Sequence, residues 1–293
     1  MMHHSPDSTA GNVQRVRFAL LLTGVFMLIE VAGGIVSGSL ALLADAGHML
    51  ADTLALALTA IAFRISRKPA DTRRSYGYSR FQILAAFVNG LSLIVIVAWI
   101  VFEAVQRLIS PPQVTGSTML LVAALGLAVN VASFVILHGA DQHNLNIRGA
   151  LLHVAGDLLG SVATIAAAIV ILATDWMPID PMLSIVVAVL ILKSAWRLVR
   201  RSAHILLEGV PDGFDTGKLR GRIIERIPQV GDIHHVHVWG LTPDQRMLTM
   251  HLVLQQEPTD TTLLVRQVKA ILRDEFSIEH STIELEVDNC ADH

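Results

Sequence analysis

The sequence predicts an α-helical membrane protein: six transmembrane helices, then a small C-terminal αββαβ domain of the α+β class. Composition is the first observation. Of 293 residues, 53% are hydrophobic and only 16% are charged, and the mean hydropathy is +0.55, outside the usual range of soluble globular chains. The second is a set of six apolar stretches, each long enough to cross about 30 Å of hydrocarbon, which takes ~20 helical residues. The third is a change of character after Arg201, where strand alternation and amphipathic helices replace the apolar runs. A formal net charge of −3, with the basic residues clustered by loop, excludes nucleic acid as a partner. The lone Cys290 excludes an intrachain disulfide, and no CxxC metal motif exists.

Residues 1–15 read as a short polar N-terminus, with His3 and His4 in a disordered start. Arg15 and Arg17 lead into an apolar run too long for a signal-peptide core, so it is a retained helix. The spans run near 16–38, 40–63, 81–107, 117–138, 148–174 and 179–200, making 16–201 the transmembrane domain. Turn chemistry separates them: Ser37-Gly38-Ser39, Lys68-Pro69 to Gly77, Ser110-Pro111-Pro112, Gly139 to Asn146 and Asp175 to Pro181. Arg64, Arg67, Lys68, Arg73, Arg74 and Arg80 crowd the second connection, Arg148 lies in the fourth, and Arg197, Arg200 and Arg201 follow the sixth span. By the positive-inside rule both termini are cytoplasmic.

Residues 202–214 read as a linker, and 215–293 as a cytoplasmic domain. Gly217-Lys218 is not a phosphate loop, because Leu219 stands where Ser or Thr is required and the earlier Gly is missing, so ATP is excluded as a partner. Helices are expected near 215–227 and 260–275, strands near 232–240, 246–255 and 281–288, with Pro243-Asp244 in the hairpin turn. Alternation assigns Val236, Val238, Leu248, Met250, Leu252, Leu254, Ile283, Leu285 and Val287 to the helix-covered face. The opposite face then carries His235, His237, Thr249, His251, Glu284, Glu286 and Asp288. That face is either a metal site or an ordinary solvated sheet surface.

The chemistry-bearing pattern lies in the spans. Leu42 to Asp52 holds Asp45, His48 and Asp52 inside an apolar run, although a charge at bilayer depth costs ~2.5–3.5 kcal/mol on insertion scales. His48 and Asp52 are four apart, hence stacked on one helix face, and Asp45 lies a turn earlier. About a hundred residues later His153 and Asp157 repeat the His-x-x-x-Asp spacing. Two facing helices would supply two nitrogens and two oxygens, a tetrahedral set suited to Zn²⁺ more than to Ca²⁺ or Mg²⁺. The alternative is a hydrogen-bonded His–Asp contact between helices, a role that Ser, Thr, Asn and Gln fill more often. Glu30, Asn89, Glu103 and Asn130 also lie in spans, lining a wet path or a helix interface, and Asp45 would orient His48.

With paired His-x-x-x-Asp motifs on the second and fifth spans and an αββαβ tail, the chain resembles the cation diffusion facilitator family of metal/proton antiporters, and most of all its bacterial zinc exporters. The likeness covers nearly everything after residue 15. It implies a ferredoxin-like, metallochaperone-like tail, a homodimer in the bacterial inner membrane, and Zn²⁺ as transported substrate and as a regulatory ligand of the tail. Protons are the implied counter-ions, and no organic cofactor is implied. The family's transport site falls on His48, Asp52, His153 and Asp157. Its tail ligands fall on His237, His251, Glu286 and Asp288, with Glu286 where a His is often found. A further family site, one Asp and two His in the loop between spans two and three, falls on Asp71, Arg74 and Tyr78; its His are missing, so the site is expected to be absent. The His-rich loop of many relatives shrinks to His138 and His143.

Export of Zn²⁺ in exchange for protons is therefore the expected function. One rival keeps transport but changes the ion to Cd²⁺, Co²⁺, Ni²⁺ or Mn²⁺. The other is an intramembrane metallohydrolase, which would keep an open zinc position and a general base; nothing here resembles HExxH.

Overall fold

A computed structural model describes residues 6–66, 68–138, 145–287 and 290; within its helices the side chains of 6–17, 19, 20, 52, 55, 56, 59, 60, 63, 145–150, 152 and 153 lie outside the description. The spans form α1 (Pro6–Ser37), α2 (Leu40–Ser66), α3 (Phe81–Ile109), α4 (Gly116–His138), α5 (Leu145–Thr174) and α6 (Ile179–Leu206). Among the described residues α3, α4, α6 and Val154–Thr174 of α5 are long and apolar enough to cross a membrane, and α1 and α2 contribute the apolar segments Leu21–Ser37 and Leu40–Ala51.

Two expected boundaries move. Residues 6–15, read as a polar non-helical start, belong to α1: Pro6 sits in the first turn, where its fixed φ fits and its missing N–H costs nothing. His3 and His4 lie outside the described residues. At the other end α6 continues to Leu206, into the expected linker, because no breaker stands before Gly209 and Pro211; Glu208, in the left-handed region at φ 59°, turns the chain away.

The chain resolves into two compact units, Met1–Ala57 with Asn89–Arg197, and Leu58–Val88 with Leu198–His293. In the first, α2 packs on two sides. Ala41 and Leu42 join Phe26 of α1, Met119, Val122 and Ala123 of α4, and Ala167, Ala168 and Ile171 of α5. Ala44 and Ala51 join Leu93, Val97 and Ile100 of α3 and Ala188, Ile191 and Ala195 of α6. Helices approach closely where side chains are small: a Cβ on Gly126 would stand 2.7 Å from the Phe26 ring, so α1 and α4 meet only because Gly is there. Asn130 donates to Ser161 at 3.1 Å, an interface contact between α4 and α5, and Arg107 pairs with Glu103 at 2.9 Å along α3 itself.

The start of α2 is tied from several helices. Asp180 of α6 is fully buried and accepts hydrogen bonds from Ser39 Oγ, from Leu40 N at 2.7 Å and from Ala41 N at 3.2 Å. A carboxylate here caps α2 and faces the positive end of its dipole. Gly38 takes φ 73° in the preceding turn, its carbonyl accepts from Arg107 Nη1, and Ser37 O accepts from Thr115 N at 2.8 Å.

The second unit contains the αββαβ tail in the expected order: α7 (Thr216–Arg226), β1 (Val230–Gly240), β2 (Arg246–Leu254), α8 (Thr261–Phe276) and β3 (His280–Glu286). The sheet order is β1-β2-β3, antiparallel between β1 and β2 and parallel between β2 and β3 across α8. Asp215 and Asp260 cap α7 and α8 through backbone N–H groups, and Ser277 ends α8 at φ 56°. Leu219, Ile223, Leu264, Val268 and Leu272 cover a core of Val238, Leu248, Met250, Leu252 and Leu254, with Val236, Ile283 and Leu285 at its margin. Val287, expected on this face, lies beyond the end of β3 and is exposed. The same core holds Val230 and Ile233, out of step with Val236 and Val238, because β1 has register irregularities after Val230 and after His234.

Candidate functional site

In the first unit α2 carries His48, α5 carries Asp157, and both are half-buried. Asp52 and His153 lie on the helical backbones of α2 and α5, one turn along and one turn back; their side chains are outside the described residues. Asp45 is close enough to both His48 and Asp157 to interact electrostatically, and Glu30 of α1 hydrogen-bonds Asp45 and feels the charge of Asp157. Carboxyl groups of α1, α2 and α5 thus lie within electrostatic reach of one another, and Asp45 is also within reach of the His48 imidazole. Glu30 is 2% exposed, and its Oε2 has no hydrogen-bond partner.

The tail assembles a different group from the one expected. On β1, His234 pairs with His251 and His237 with Thr249, so His235 and Val236 oppose Met250 alone. His235 sits at φ 48°, in the left-handed region that His enters more readily than most residues. This bulge puts His234 and His235 on the same side, beside His251 of β2. One ligand atom each from His234, His235, His251 and Cys290 lie within 4.8 Å of one another. Cys290 Sγ is 3.7 Å from His251 Nδ1 and 3.8 Å from His235 Nδ1. Bonds of ~2.3 Å to sulfur and ~2.0 Å to nitrogen place neighbouring ligands of a tetrahedral zinc roughly 3.5 Å apart, so the Cys290–His235 edge is near the required length.

Glu286, at the end of β3, backs the cluster: Oε1 is 2.7 Å from His251 Nδ1 and Oε2 is 3.1 Å from His234 Nε2. The second contact lacks hydrogen-bond geometry, and the buried His234 Nε2 is left without a hydrogen bond, as fits a nitrogen that is a metal ligand. Burial acts to raise the Glu286 carboxyl, but hydrogen bonds from Cys290 and His251 and the charges of His234 and His251 outweigh it and hold the group below its ordinary value. Of the expected tail ligands, His251 and Glu286 are therefore brought together. His237 is exposed and not among the clustered groups, and Asp288 lies outside the described residues.

The loop positions Asp71, Arg74 and Tyr78 also meet. Arg74 Nη1 donates to Tyr78 Oη at 2.9 Å and lies 3.6 Å from Asp71 Oδ2, and the Asp71 carboxylate accepts from the backbone N–H groups of Arg73 and Arg74. The hydrogen bond from Arg73 is the largest influence on Asp71 and holds its carboxyl below the ordinary value. A guanidinium stands where the resemblance would have put a metal ligand.

Comparison with known proteins agrees with this architecture. The model of the cation efflux transmembrane domain matches residues 16–207, and that of the cation efflux protein cytoplasmic domain matches 211–288. Over its whole length the chain is 47% identical to the zinc transporter ZitB of Pectobacterium atrosepticum and covers 91% of it. It is 39% identical, over 97% of its length, to the cadmium, cobalt and zinc/H(+)-K(+) antiporter of Bacillus velezensis, covering 92% of that protein. The metal-bound C-terminal domain of the CzcD transporter from Cupriavidus metallidurans, a solved structure, aligns with 25% of this chain and all of its own at 30% identity, with a TM-score of 0.24.

Proposed function

The chain belongs to the cation efflux family, as a multi-pass membrane protein with a cytoplasmic domain, and from that premise we propose that it exports Zn²⁺ from the cytoplasm in exchange for protons. The observation that carries this reading is the convergence of His48, Asp45, Asp157 and Glu30 from three helices inside an apolar bundle. His48, Asp52, His153 and Asp157 are the proposed ligands of the transported ion. Zn²⁺ balances two ligating carboxylates, whereas the empty site would leave two negative charges in a poorly hydrated place. Protons restore neutrality on departure of the metal, and binding requires neutral His and ionised Asp, so metal and protons compete. A helix rearrangement that exposes the site alternately to each side then moves neutral contents.

The proposed setting is a homodimer in the bacterial inner membrane with both termini cytoplasmic. Two contacts support one side for the tail and the Arg-rich connection of α2 and α3: Arg80 pairs with Glu208 at 3.0 Å, and the Tyr76 ring meets His280 edge-on at 6.2 Å. We assign His234, His235, His251 and Cys290, backed by Glu286, to a regulatory metal site that stabilises one arrangement of the tail. Zinc fits both nitrogen- and sulfur-containing sets; the Bacillus relative's name, with its cadmium and cobalt, favours a second reading in which other divalent ions also pass. The test of the proposal is zinc uptake by everted vesicles with and without an imposed pH gradient. Uptake driven by the gradient and lost in Asp157→Ala is expected. Hydrolysis of a lipid or peptide that depends on Asp52, without uptake, would instead establish an enzyme.

A further inference from the structure

The second unit contains a cavity of about 190 Å³ that neither metal site uses. It forms where the last turn of α6 meets the β1–β2 turn, and Arg201, His204, Gly209, Asp212, Thr242 and Arg246 line it. The lining is built. Arg246 is tethered from behind, donating one Nη1 hydrogen to Phe276 O at 3.0 Å, which aims the guanidinium without using all its donors. His204 Nε2 donates to Val210 O at 2.8 Å, and Gly209 lies so close that any Cβ there would collide with the imidazole. Thr242 accepts from Gln245 N at 3.1 Å and so fixes the far wall. Among the described residues no carboxylate pairs with Arg201, and the lining holds two guanidinium groups against the one carboxylate of Asp212. The cavity is therefore an anion site by charge, and guanidinium donors suit phosphate oxygens.

Its surroundings name the source of the phosphate. The cavity lies at the end of α6, a helix apolar enough to cross a membrane, and Arg200 precedes Arg201 in the chain. Back along the same helix, Leu192 is 39% exposed and Trp196 is 61% exposed. A basic pocket at the foot of a span with exposed apolar side chains matches a lipid whose headgroup enters the pocket while its chains run back along the span. We propose that this cavity binds the phosphate of an anionic phospholipid headgroup.

The test uses the full-length protein, purified in detergent and titrated with phosphatidylglycerol or with zwitterionic phosphatidylcholine, bound lipid being counted by native mass spectrometry. Wild type should retain phosphatidylglycerol in preference. Arg201→Gln should cut that preference about fivefold, the effect of one cation at a membrane surface, and Arg200→Gln, outside the lining, clearly less. Thr242→Asp, on a surface turn where the new carboxylate can still accept from Gln245 N, should abolish the preference without touching α6. Equal losses in Arg200→Gln and Arg201→Gln would mean diffuse surface attraction and overturn the site. Displacement of phosphatidylglycerol by millimolar inorganic phosphate would overturn the lipid assignment in favour of a soluble anion.

Discussion

Asp157 is the described residue on which transport chemistry depends most, since its carboxylate is both a proposed ligand and a neighbour of Asp45 and Glu30. Loss of one ligand should matter at least as much as loss of the groups that orient ligands, so Asp157→Ala should slow reconstituted zinc uptake by more than about 100-fold while the protein stays inserted and dimeric. Wild-type uptake by that variant would remove Asp157 from the site. His48→Asp gives three carboxylates and one imidazole, a harder set, and the measured preference for zinc over cadmium should fall; an unchanged ratio would take His48 out of selectivity. In the tail, His251→Ala and Cys290→Ser should shift the zinc concentration that half-activates transport without abolishing it, whereas complete loss in a folded dimer would contradict a regulatory role. The two His-x-x-x-Asp spacings are visible in the sequence, and α2 and α5 carry them at i,i+4 positions, which on a helix share a face. The tail cluster was only partly legible: strict alternation separates His234 from His235, and the bulge that reunites them lies in backbone angles, not in residue types. Cys290 was visible in the sequence but lay beyond any strand pattern that could give it partners.

Among the elements, α2 has its position set at its first turn. Asp180 of α6 satisfies Ser39 Oγ and two backbone N–H groups in a fully buried place, so Asp180→Ala leaves three donors without their acceptor. The expected cost is about 2–4 kcal/mol, read as a lower melting temperature, with Asp180→Asn intermediate. A melting temperature unchanged in Asp180→Ala would show that packing alone holds the helix. In the tail, the backbone N–H of Ile233 and then Arg220 hold the Asp232 carboxyl below its ordinary value. A depressed value stabilises the folded state above the unfolded value and is lost as pH falls through the folded one. Asp232→Asn should therefore flatten the loss of stability below pH 3.8, and an identical acid limb would remove this contribution. The spans themselves were legible because apolar length is a direct physical requirement of the bilayer. Their ends were less so: Pro6 starts α1 within a polar stretch, and α6 runs on through Ser202 to Leu206 because polarity alone does not stop a helix.

At the scale of the molecule the chain forms two units: an apolar bundle that carries titratable groups on α1, α2 and α5, and a tail that gathers His234, His235, His251 and Cys290. The fold class was readable from composition and period, since hydrocarbon thickness and strand alternation each constrain the sequence directly. The proposed exchange rests on charge balance. Zinc bound to two carboxylates would be neutral and the vacated site would not, so apparent zinc affinity should weaken as pH falls through about 6.5, where an unperturbed His gains its proton. The most direct measurement follows zinc and protons together in sealed vesicles carrying a pH indicator on the zinc-donating side. Zinc movement should acidify that side in wild type, and both fluxes should vanish in Asp157→Ala. Zinc crossing the membrane with no proton flux would contradict antiport and leave a uniporter or channel.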